Sequence, residues 1–362
     1  MDQLGTPSTK VFTITESKAL VDGFLMPLFM QLTEDARRIS PHYETLWQDI
    51  QKLYSAGGKR LRSYMTFLTY EAYSGKSYEN ILPAAAAQEL LHMAMLIHDD
   101  IIDRDDIRYG VKNIAREYMD HYEELLAEVS DRRHYANSAA ILAGDLLISE
   151  SYVLISETQA NPAAVLASQK LLSKAVFQVV GGELLDTEAA FRGADSADPL
   201  TIAEQKTASY SFVSPFLMGA ILAEADQLQQ DILQKLGEQL GIAYQLRDDI
   251  LGVFGDEEKT GKSTSGDLKE GKRTLLLSEF RKLATEAQRQ EFDTQFGNHE
   301  ASTEDIARMK ELFVESGAKA SIEELIAAYQ EHAHRLVDAL DIQQVHRDAF
   351  TSLIELCIRR EK

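Results

Sequence analysis

The sequence predicts an all-α fold in one domain that covers residues 1–362. The chain contains only 7 prolines and 20 glycines, whereas a sandwich or a barrel needs turn residues at short intervals. Apolar residues recur with a period of about 3.6 along most of the chain, which is the spacing of one helix face. No series of strands alternates with these patterns, and no repeat or low-complexity linker divides the chain.

The helices follow from this period in chain order. Residues 17–38 carry apolar positions on one face, and residues 83–102 form an apolar run of some five turns without a breaker. Further helices are predicted over residues 136–158, 163–180, 201–225, 231–253, 274–283 and 305–340. Two loops interrupt the pattern, and each follows a pair of adjacent aspartates: residues 103–112 and 252–271.

Capping boxes mark two of the helix starts. Thr201 with Glu204, and Ser302 with Asp305, have the spacing at which the two residues cap each other's backbone amides.

Composition and charge narrow the functional class. Acidic residues outnumber basic ones by 58 to 37, so a general nucleic-acid binder, which needs a basic face, is excluded. The single cysteine, Cys357, cannot form an internal disulfide or a cysteine metal site, which fits a reducing, cytoplasmic environment. Residues 1–10 lack the apolar core of a signal peptide, and we expect residues 1–15 to be flexible. The longest uncharged stretch, residues 207–223, is too short and polar to span a bilayer, so no membrane span is expected.

The first chemical signal is an acidic cluster at the end of the predicted helix 83–102. Asp99 and Asp103 are four residues apart, so their side chains share one helix face, with Asp100 beside them. Like charges at this spacing repel unless a cation lies between them, and carboxylate oxygens suit magnesium. A solvated acidic helix end is the alternative interpretation of this cluster alone.

A second acidic cluster ends another apolar helix. Asp248 and Asp249 follow Gln245 by three and four residues, so the three side chains share a face. Two such clusters would hold several magnesium ions, and magnesium commonly recruits substrate phosphates as further ligands. Taken by itself, this second pair is also compatible with ordinary surface charge.

Basic residues form a third group that suits anions. The segment GGKRLR at residues 57–62 precedes an apolar helical run, and Lys59 and Arg62 share a face at three-residue spacing. His92 lies seven residues before Asp99, on the same face. Further basic residues accompany the acidic clusters: Arg108, Lys206, Lys262, Lys269 and Lys272. Each of these is by itself an ordinary solvated side chain, and His92 alone is an ordinary core histidine.

Seven motifs occur in order along residues 57–274: GGKRLR, LLHMAMLIHDDIID, RYG, GGELLD, KTASYSF, YQLRDDILGVFGD and TGKSTSGDLKEGKRT. Together they resemble the trans-isoprenyl diphosphate synthase family, also called polyprenyl synthetases. The ordered set is far more specific than any one motif. The resemblance is strongest to bacterial geranylgeranyl diphosphate synthases. It implies a single bundle of long antiparallel helices around a deep central cavity, in a homodimer.

The resemblance also implies a reaction and the residues that perform it. An allylic diphosphate would bind through about three magnesium ions. The implied metal ligands are Asp99, Asp103 and Asp248, with Asp100 and Asp249 in support. The implied contacts to this diphosphate are Arg108, Lys206, Lys262 and Lys272. Isopentenyl diphosphate would bind through Lys59, Arg62 and His92. Thr207 and Gln245 would orient groups near the allylic cation.

Product length is predicted from the helix turn before the first acidic cluster. Met95 and Ala94 lie about one turn before Asp99, and Leu91 lies a further turn away. In the family, an aromatic residue at these positions stops chain growth early. No aromatic residue stands here, so we expect a geranylgeranyl (C20) product, with farnesyl and longer chains as alternatives.

Three positions depart from the family pattern. Tyr109 replaces the second arginine of an RRG segment, Gly252 stands where many members have a third aspartate, and Glu183 replaces a usual glutamine. Asp256 is a candidate to compensate for the missing aspartate. A class I terpene cyclase is the competing enzyme, but it would need no second diphosphate site. A regulatory subunit of a prenyl synthase would typically lack the intact aspartate pairs.

Overall fold

A computed structural model of the chain describes residues 11–74, 78–192, 198–255 and 264–359, with the side chains of residues 190–192 left aside. The structure is 81% helical, which confirms the all-α prediction. The expectation of a flexible start falls partly on residues 1–10, which lie outside the described residues. Residues 11–15 already lead into the first helix, where Thr13 and Glu16 form a capping box.

Helices in the described residues are, in order, α1 (Ile14–Ile39), α2 (Pro41–Ala56), α3 (Leu61–Ser74), α4 (Leu82–Ile102), α5 (Ile114–His121), α6 (Val129–Ser156), α7 (Pro162–Arg192), α8 (Pro199–Ile202), α9 (Ser214–Leu222), α10 (Gln227–Phe254), α11 (Gly266–Glu270), α12 (Leu275–Leu283), α13 (Glu286–Asp293), α14 (Thr303–Glu315), α15 (Ala318–Asp338) and α16 (Gln344–Ile358). A 3₁₀ turn, Tyr78–Ile81, precedes α4, and a π-helical stretch, Ala203–Val213, joins α8 to α9. The strands β1 (Ile107–Arg108) and β2 (Val111–Lys112) form an antiparallel hairpin between α4 and α5.

The chain divides into two compact units. The first contains Met1–Leu171 and Leu217–Ala225, and the second contains Leu172–Phe216 and Asp226–Lys362. The expectation of one domain over residues 1–362 therefore stays a prediction.

Each unit has its own apolar core. In the first unit α4 packs along α6, and α1 packs on α2, with Phe29, Tyr54 and Phe67 almost fully buried. In the second unit α10 packs against the π-helical stretch and α15, and the rings of Phe292 and Phe313 pack against each other with centroids 5.2 Å apart. These packed helices fix the backbone positions from which the acidic clusters project.

Most predicted helices are present, but two predictions of a single continuous helix are wrong. The predicted helix 305–340 is two helices, because Gly317 adopts a left-handed φ of 82° between α14 and α15. The predicted helix 201–225 is α8, the π-helical stretch and α9, and its N-cap is Asp198 rather than Thr201. The capping box of Ser302 with Asp305 is confirmed at the start of α14.

Three helical segments are long and apolar enough to cross a membrane by length and composition: Tyr78–Ile102, Val129–Ser156 and Pro162–Ala189. These segments carry a few charges, so a comparison of uncharged stretches alone does not reveal them. Within the protein, 67%, 44% and 28% of their respective apolar windows are buried. The expectation of no membrane span stays a prediction.

Candidate active site

The first acidic cluster lies at the C-terminal end of α4. Asp103 is the C-cap residue, and its backbone amide donates to the Asp99 carbonyl at 2.8 Å. The Asp99 side chain is half-buried and that of Asp103 is exposed, whereas Asp100 is only 2% exposed. Two of the three carboxylates are therefore accessible to a ligand, and the third points into the first unit.

The buried carboxylate of Asp100 holds Arg108. The Arg108 Nε donates to Asp100 Oδ1 at 2.7 Å, and its Nη2 contacts the same oxygen. Nη2 is also 3.5 Å from Asp99 Oδ2. Burial raises the pKa of Asp100 to about 6, although the Arg108 charge opposes that rise. Arg108 is thus fixed beside Asp99, while the support of Asp100 for a metal stays a prediction.

The hairpin β1–β2 explains how Arg108 reaches this position. Its two turn residues, Tyr109 and Gly110, have φ values of 54° and 76°, as in a type I′ turn. The Tyr109 ring packs against Gly57, where an added Cβ would lie 2.7 Å from the ring Cγ. The tyrosine that replaces the second arginine of the family motif therefore lies against the GGKRLR segment.

The GGKRLR segment is held in place by Arg60, a residue that the sequence analysis did not single out. Arg60 is 5% exposed, and its Nε donates to Asp22 Oδ1 at 2.9 Å. Its Nη1 donates to the Gly57 carbonyl at 2.6 Å. Gly58 has a φ of 97°, and a Cβ there would lie 2.3 Å from Arg60 Nη1, so this position requires glycine. The loop therefore has a fixed backbone, from which Lys59 projects as an exposed side chain.

His92 lies half-buried on α4 in positive surroundings. Burial, together with the charges of Arg62, Arg108 and Arg60, lowers the pKa of His92 well below its usual value. The imidazole is therefore neutral at pH 7 and can offer a hydrogen bond without adding charge. Arg62 is the second residue of α3 and is half-buried.

The three predicted chain-length residues differ in exposure. Leu91 and Ala94 are 0% exposed, whereas Met95 is half-buried. The helix α6 packs along α4, and its Gly144 allows close approach, since a Cβ there would lie 2.0 Å from His98 Nε2. Met95 is thus the member of the set with accessible surface.

In the second unit, Lys206 forms ion pairs with two carboxylates. Its Nζ lies 2.8 Å from Glu183 Oε2 and 2.8 Å from Asp186 Oδ2. Glu183 and Asp186 are three residues apart on α7, and the π-helical stretch carries Lys206 to them. The sequence marks Glu183 only as a departure from the family pattern and predicts no role for Asp186, although the three-residue spacing of Asp186 from Glu183 is a usable signal.

A hydrogen-bonded chain joins the predicted orienting groups to the second acidic cluster. Thr207 Oγ1 donates to Gln245 Oε1 at 2.6 Å, and Gln245 Nε2 donates to Asp249 Oδ1 at 2.8 Å. Asp249 is 8% exposed, and burial raises its pKa to about 7. Asp248 is half-buried, so it is the accessible carboxylate of this pair. The pair lies within the last two turns of α10, which continues to Phe254.

Lys272 and Lys262 complete the predicted cations of the second unit. Nearby Asp267 and Asp249 raise the pKa of Lys272 although burial opposes that shift, so its ammonium group is charged. Lys262 and Asp256 lie outside the described residues.

Comparisons with known proteins identify the family of the chain. The polyprenyl synthetase family model matches residues 44–313. A geranylgeranyl diphosphate synthase from Methanosarcina mazei is 33% identical, over 82% of this chain and 84% of that protein. A geranylfarnesyl diphosphate synthase from Aeropyrum pernix is 32% identical, over 95% of this chain and 100% of that protein. A solved structure of geranylgeranyl pyrophosphate synthase from Corynebacterium glutamicum superposes on this chain with a TM-score of 0.88 at 27% identity. The match covers 96% of this chain and 100% of that one, which is complexed with isoprenyl diphosphate and magnesium.

The fold, the two aspartate clusters and the cations fixed beside them define an all-helical trans-prenyltransferase. The chain belongs to the polyprenyl synthetase family. That family is magnesium-dependent and joins allylic diphosphates to isopentenyl diphosphate.

Proposed function

We propose that this prenyltransferase adds isopentenyl diphosphate to an allylic diphosphate and releases an all-trans C20 product, geranylgeranyl diphosphate. The observation that carries the proposal is the pairing of accessible aspartates with fixed cations. Arg108 is held beside Asp99 in the first unit, and the second unit carries Asp248 together with Lys206 and Lys272. Carboxylates for metal ions and cations for phosphate are the two components that a diphosphate site needs.

The donor set suits Mg²⁺. Asp99, Asp103 and Asp248 would hold the ions, with Asp100 and Asp249 in support, and all of these offer hard oxygen ligands. The single cysteine, Cys357, is buried on α16. We propose about three ions per site with substrate bound. When bound, Mg²⁺ offsets the negative charge of the diphosphate.

The protein's own residues then position the two substrates. The allylic diphosphate is bound by Arg108, Lys206, Lys262 and Lys272. Isopentenyl diphosphate is bound by Lys59, Arg62 and His92. The allylic carbon–oxygen bond breaks, and its electron pair leaves with the diphosphate. The double bond of isopentenyl diphosphate attacks the resulting cation, and the released diphosphate accepts the proton that is lost. Thr207 and Gln245 orient their oxygens toward that cation.

A product assay tests the proposal. The purified protein is incubated with Mg²⁺, isopentenyl diphosphate and an allylic diphosphate, and the dephosphorylated alcohols are separated by chromatography. Asp99→Ala and Asp248→Ala should reduce turnover by orders of magnitude at unchanged helicity, whereas Asp231→Ala, on the exposed side of α10, should not. Cyclised hydrocarbon would indicate a terpene cyclase, and near wild-type turnover of Asp99→Ala would refute the assignment.

The proposed homodimer is supported by an apolar stripe on α7. Phe177, Val180 and Leu184 are 81%, 55% and 67% exposed, and their spacing of three and four residues puts them on one face. The family resemblance favours a second copy as the partner. Phe177→Asp with Leu184→Asp should yield monomers in analytical ultracentrifugation, whereas Leu125→Asp, at another exposed apolar position, should not.

We also propose a cytoplasmic location. The relatives are named as prenyl diphosphate synthases, and a dimer would cover the apolar face of α7 without a bilayer. A liposome flotation assay tests this, because a protein that inserts its apolar helices would float with the vesicles at high salt.

A further inference from the structure

The second acidic cluster lacks a side chain at one position of its helix face. In the first cluster, Asp99 and Asp103 are four residues apart on α4. The corresponding interval on α10 joins Asp248 to Gly252. Residues four apart on a helix have Cβ atoms roughly 5–6 Å from each other, so a side chain at position 252 would neighbour Asp248.

The space at Gly252 is occupied by a carboxylate from another segment. A Cβ built on Gly252 would lie 2.4 Å from Asp267 Oδ2 and 3.3 Å from Asp267 Cγ. Asp267 belongs to α11, so its carboxylate reaches the α10 face from the opposite direction. A side chain at position 252 and the present position of Asp267 exclude each other.

The segment that carries Asp267 is anchored. The neighbouring Leu268 is 2% exposed, and its carbonyl accepts a hydrogen bond from the Gly297 amide at 2.9 Å. The Asp267 carbonyl accepts from the Lys272 amide at 2.9 Å, which closes the turn after α11. Asp267 therefore projects from a backbone that is fixed on both sides.

The charges near Asp267 connect it to the proposed diphosphate site. Asp248, Asp267 and Lys272 all lie near enough to Asp249 to interact with it electrostatically, and Asp267 also interacts with Lys272. Lys206 and Asp186 also lie near Lys272. The four aspartates, Asp186, Asp248, Asp249 and Asp267, outnumber the two ammonium groups, and a divalent cation would offset the excess negative charge.

We propose that Asp267 is the third carboxylate of the second cluster. It takes the place beside Asp248 that a side chain at position 252 would fill, and binds the magnesium–diphosphate complex directly or through a magnesium-bound water. The proposal rests on the proposed function. It assigns to Asp267 the compensation for which Asp256 is the candidate in the sequence.

A simpler interpretation is that Asp267 serves only as a counter-ion for Lys272. That interpretation predicts a lower melting temperature for Asp267→Asn without added metal, and an unchanged response to Mg²⁺. Our proposal instead predicts an altered response to Mg²⁺, and it predicts that a carboxylate on α10 can replace the one from α11.

The test is a titration of Mg²⁺ at fixed inorganic pyrophosphate, followed by thermal shift and calorimetry. Asp267→Asn and Asp267→Ala should require about 10-fold or more Mg²⁺ for half-maximal stabilisation. The double variant Gly252→Asp/Asp267→Ala should recover most of the lost affinity, because the space at position 252 is then free. Asp231→Asn, an exposed acid on α10, is the control and should match the wild type.

Each outcome decides a separate question. A wild-type protein that binds no magnesium–pyrophosphate and elongates no substrate would refute the proposed function. If the wild type is functional and Asp267→Asn requires the same Mg²⁺ concentration for half-maximal stabilisation, only the role of Asp267 is refuted. Loss in Asp267→Ala without recovery in the double variant would also overturn the substitution of one carboxylate for the other.

Discussion

Glu183 is expected to weaken binding of the allylic diphosphate, so Glu183→Gln should improve it. Lys206 Nζ lies 2.8 Å from both Glu183 and Asp186, and a diphosphate oxygen must compete with these carboxylates for the same ammonium group. Glutamine preserves the size and one acceptor oxygen of the side chain but removes its charge. Asp186 remains to position Lys206 in the variant.

The size of the effect follows from the kind of hydrogen bond. The Lys206 and Glu183 side chains are 22% and 18% exposed, so solvent screens this pair only in part. A hydrogen bond to a charged group contributes about 1.5–3 kcal/mol, against about 0.5–1.5 kcal/mol for a neutral one. The difference of about 1 kcal/mol corresponds to roughly 5-fold in affinity.

The assay measures the Michaelis constant for the allylic diphosphate at saturating isopentenyl diphosphate, together with calorimetry of inorganic pyrophosphate binding in Mg²⁺. Both should show tighter binding in Glu183→Gln, and Asp186→Asn should shift in the same direction. Glu157→Gln removes the same charge at an exposed position at the end of α6 and serves as the control. An unchanged or raised Michaelis constant in Glu183→Gln would refute the reasoning, because Glu183 would then not compete with the substrate for Lys206.

Three further predictions address other parts of the chain. Arg62→Ala should raise the Michaelis constant for isopentenyl diphosphate by about 10-fold or more, because a charge-assisted phosphate contact contributes about 1.5–3 kcal/mol. The Michaelis constant for the allylic substrate should change far less. An equal change for both substrates in steady-state kinetics would contradict the assignment. Met95→Phe should shorten the products and Met95→Ala should lengthen them, as chromatography of the dephosphorylated alcohols would show. If neither variant shifts the product length, residues elsewhere, for example on α6, limit chain growth. Burial raises the pKa of Asp49 to about 6, against the charge of His121, so the folded protein should lose stability as pH rises from about 4 through 6. Chemical denaturation over this range should give a flatter profile for Asp49→Asn, and an identical slope in both proteins would exclude Asp49 as the source.

The sequence predicted those helices that depend on the apolar period, the absence of breakers and the capping residues. Apolar period and the absence of breakers gave α4 and α10 within a few residues, and Ser302 with Asp305 gave the start of α14. The predicted cap at Thr201 was wrong because Asp198, directly before a proline at the first helical position, is the stronger start. The π-helical stretch was not predictable from a period of about 3.6, since its hydrogen bonds skip one residue more.

The candidate site was predictable where one helix carries all its parts. The sequence placed Asp99 with Asp103, and Gln245 with Asp249, on common faces, and both follow from helix geometry alone. Pairings between distant segments were not predictable. Arg108 with Asp100 requires the left-handed turn of the hairpin, and Lys206 with Asp186 requires the packing of the π-helical stretch against α7.

Gly252 shows that a residue missing from a motif does not by itself mean that the corresponding function is missing. In the sequence, the position four residues after Asp248 is empty, and the cluster is one carboxylate shorter than the first. In the structure, the bare backbone of Gly252 is what allows Asp267 to approach within contact distance. Restoring an aspartate at position 252 alone should therefore displace Asp267 rather than add a fourth carboxylate. The same chemical group can thus reach the same place from either of two segments, and only the fold decides which segment supplies it.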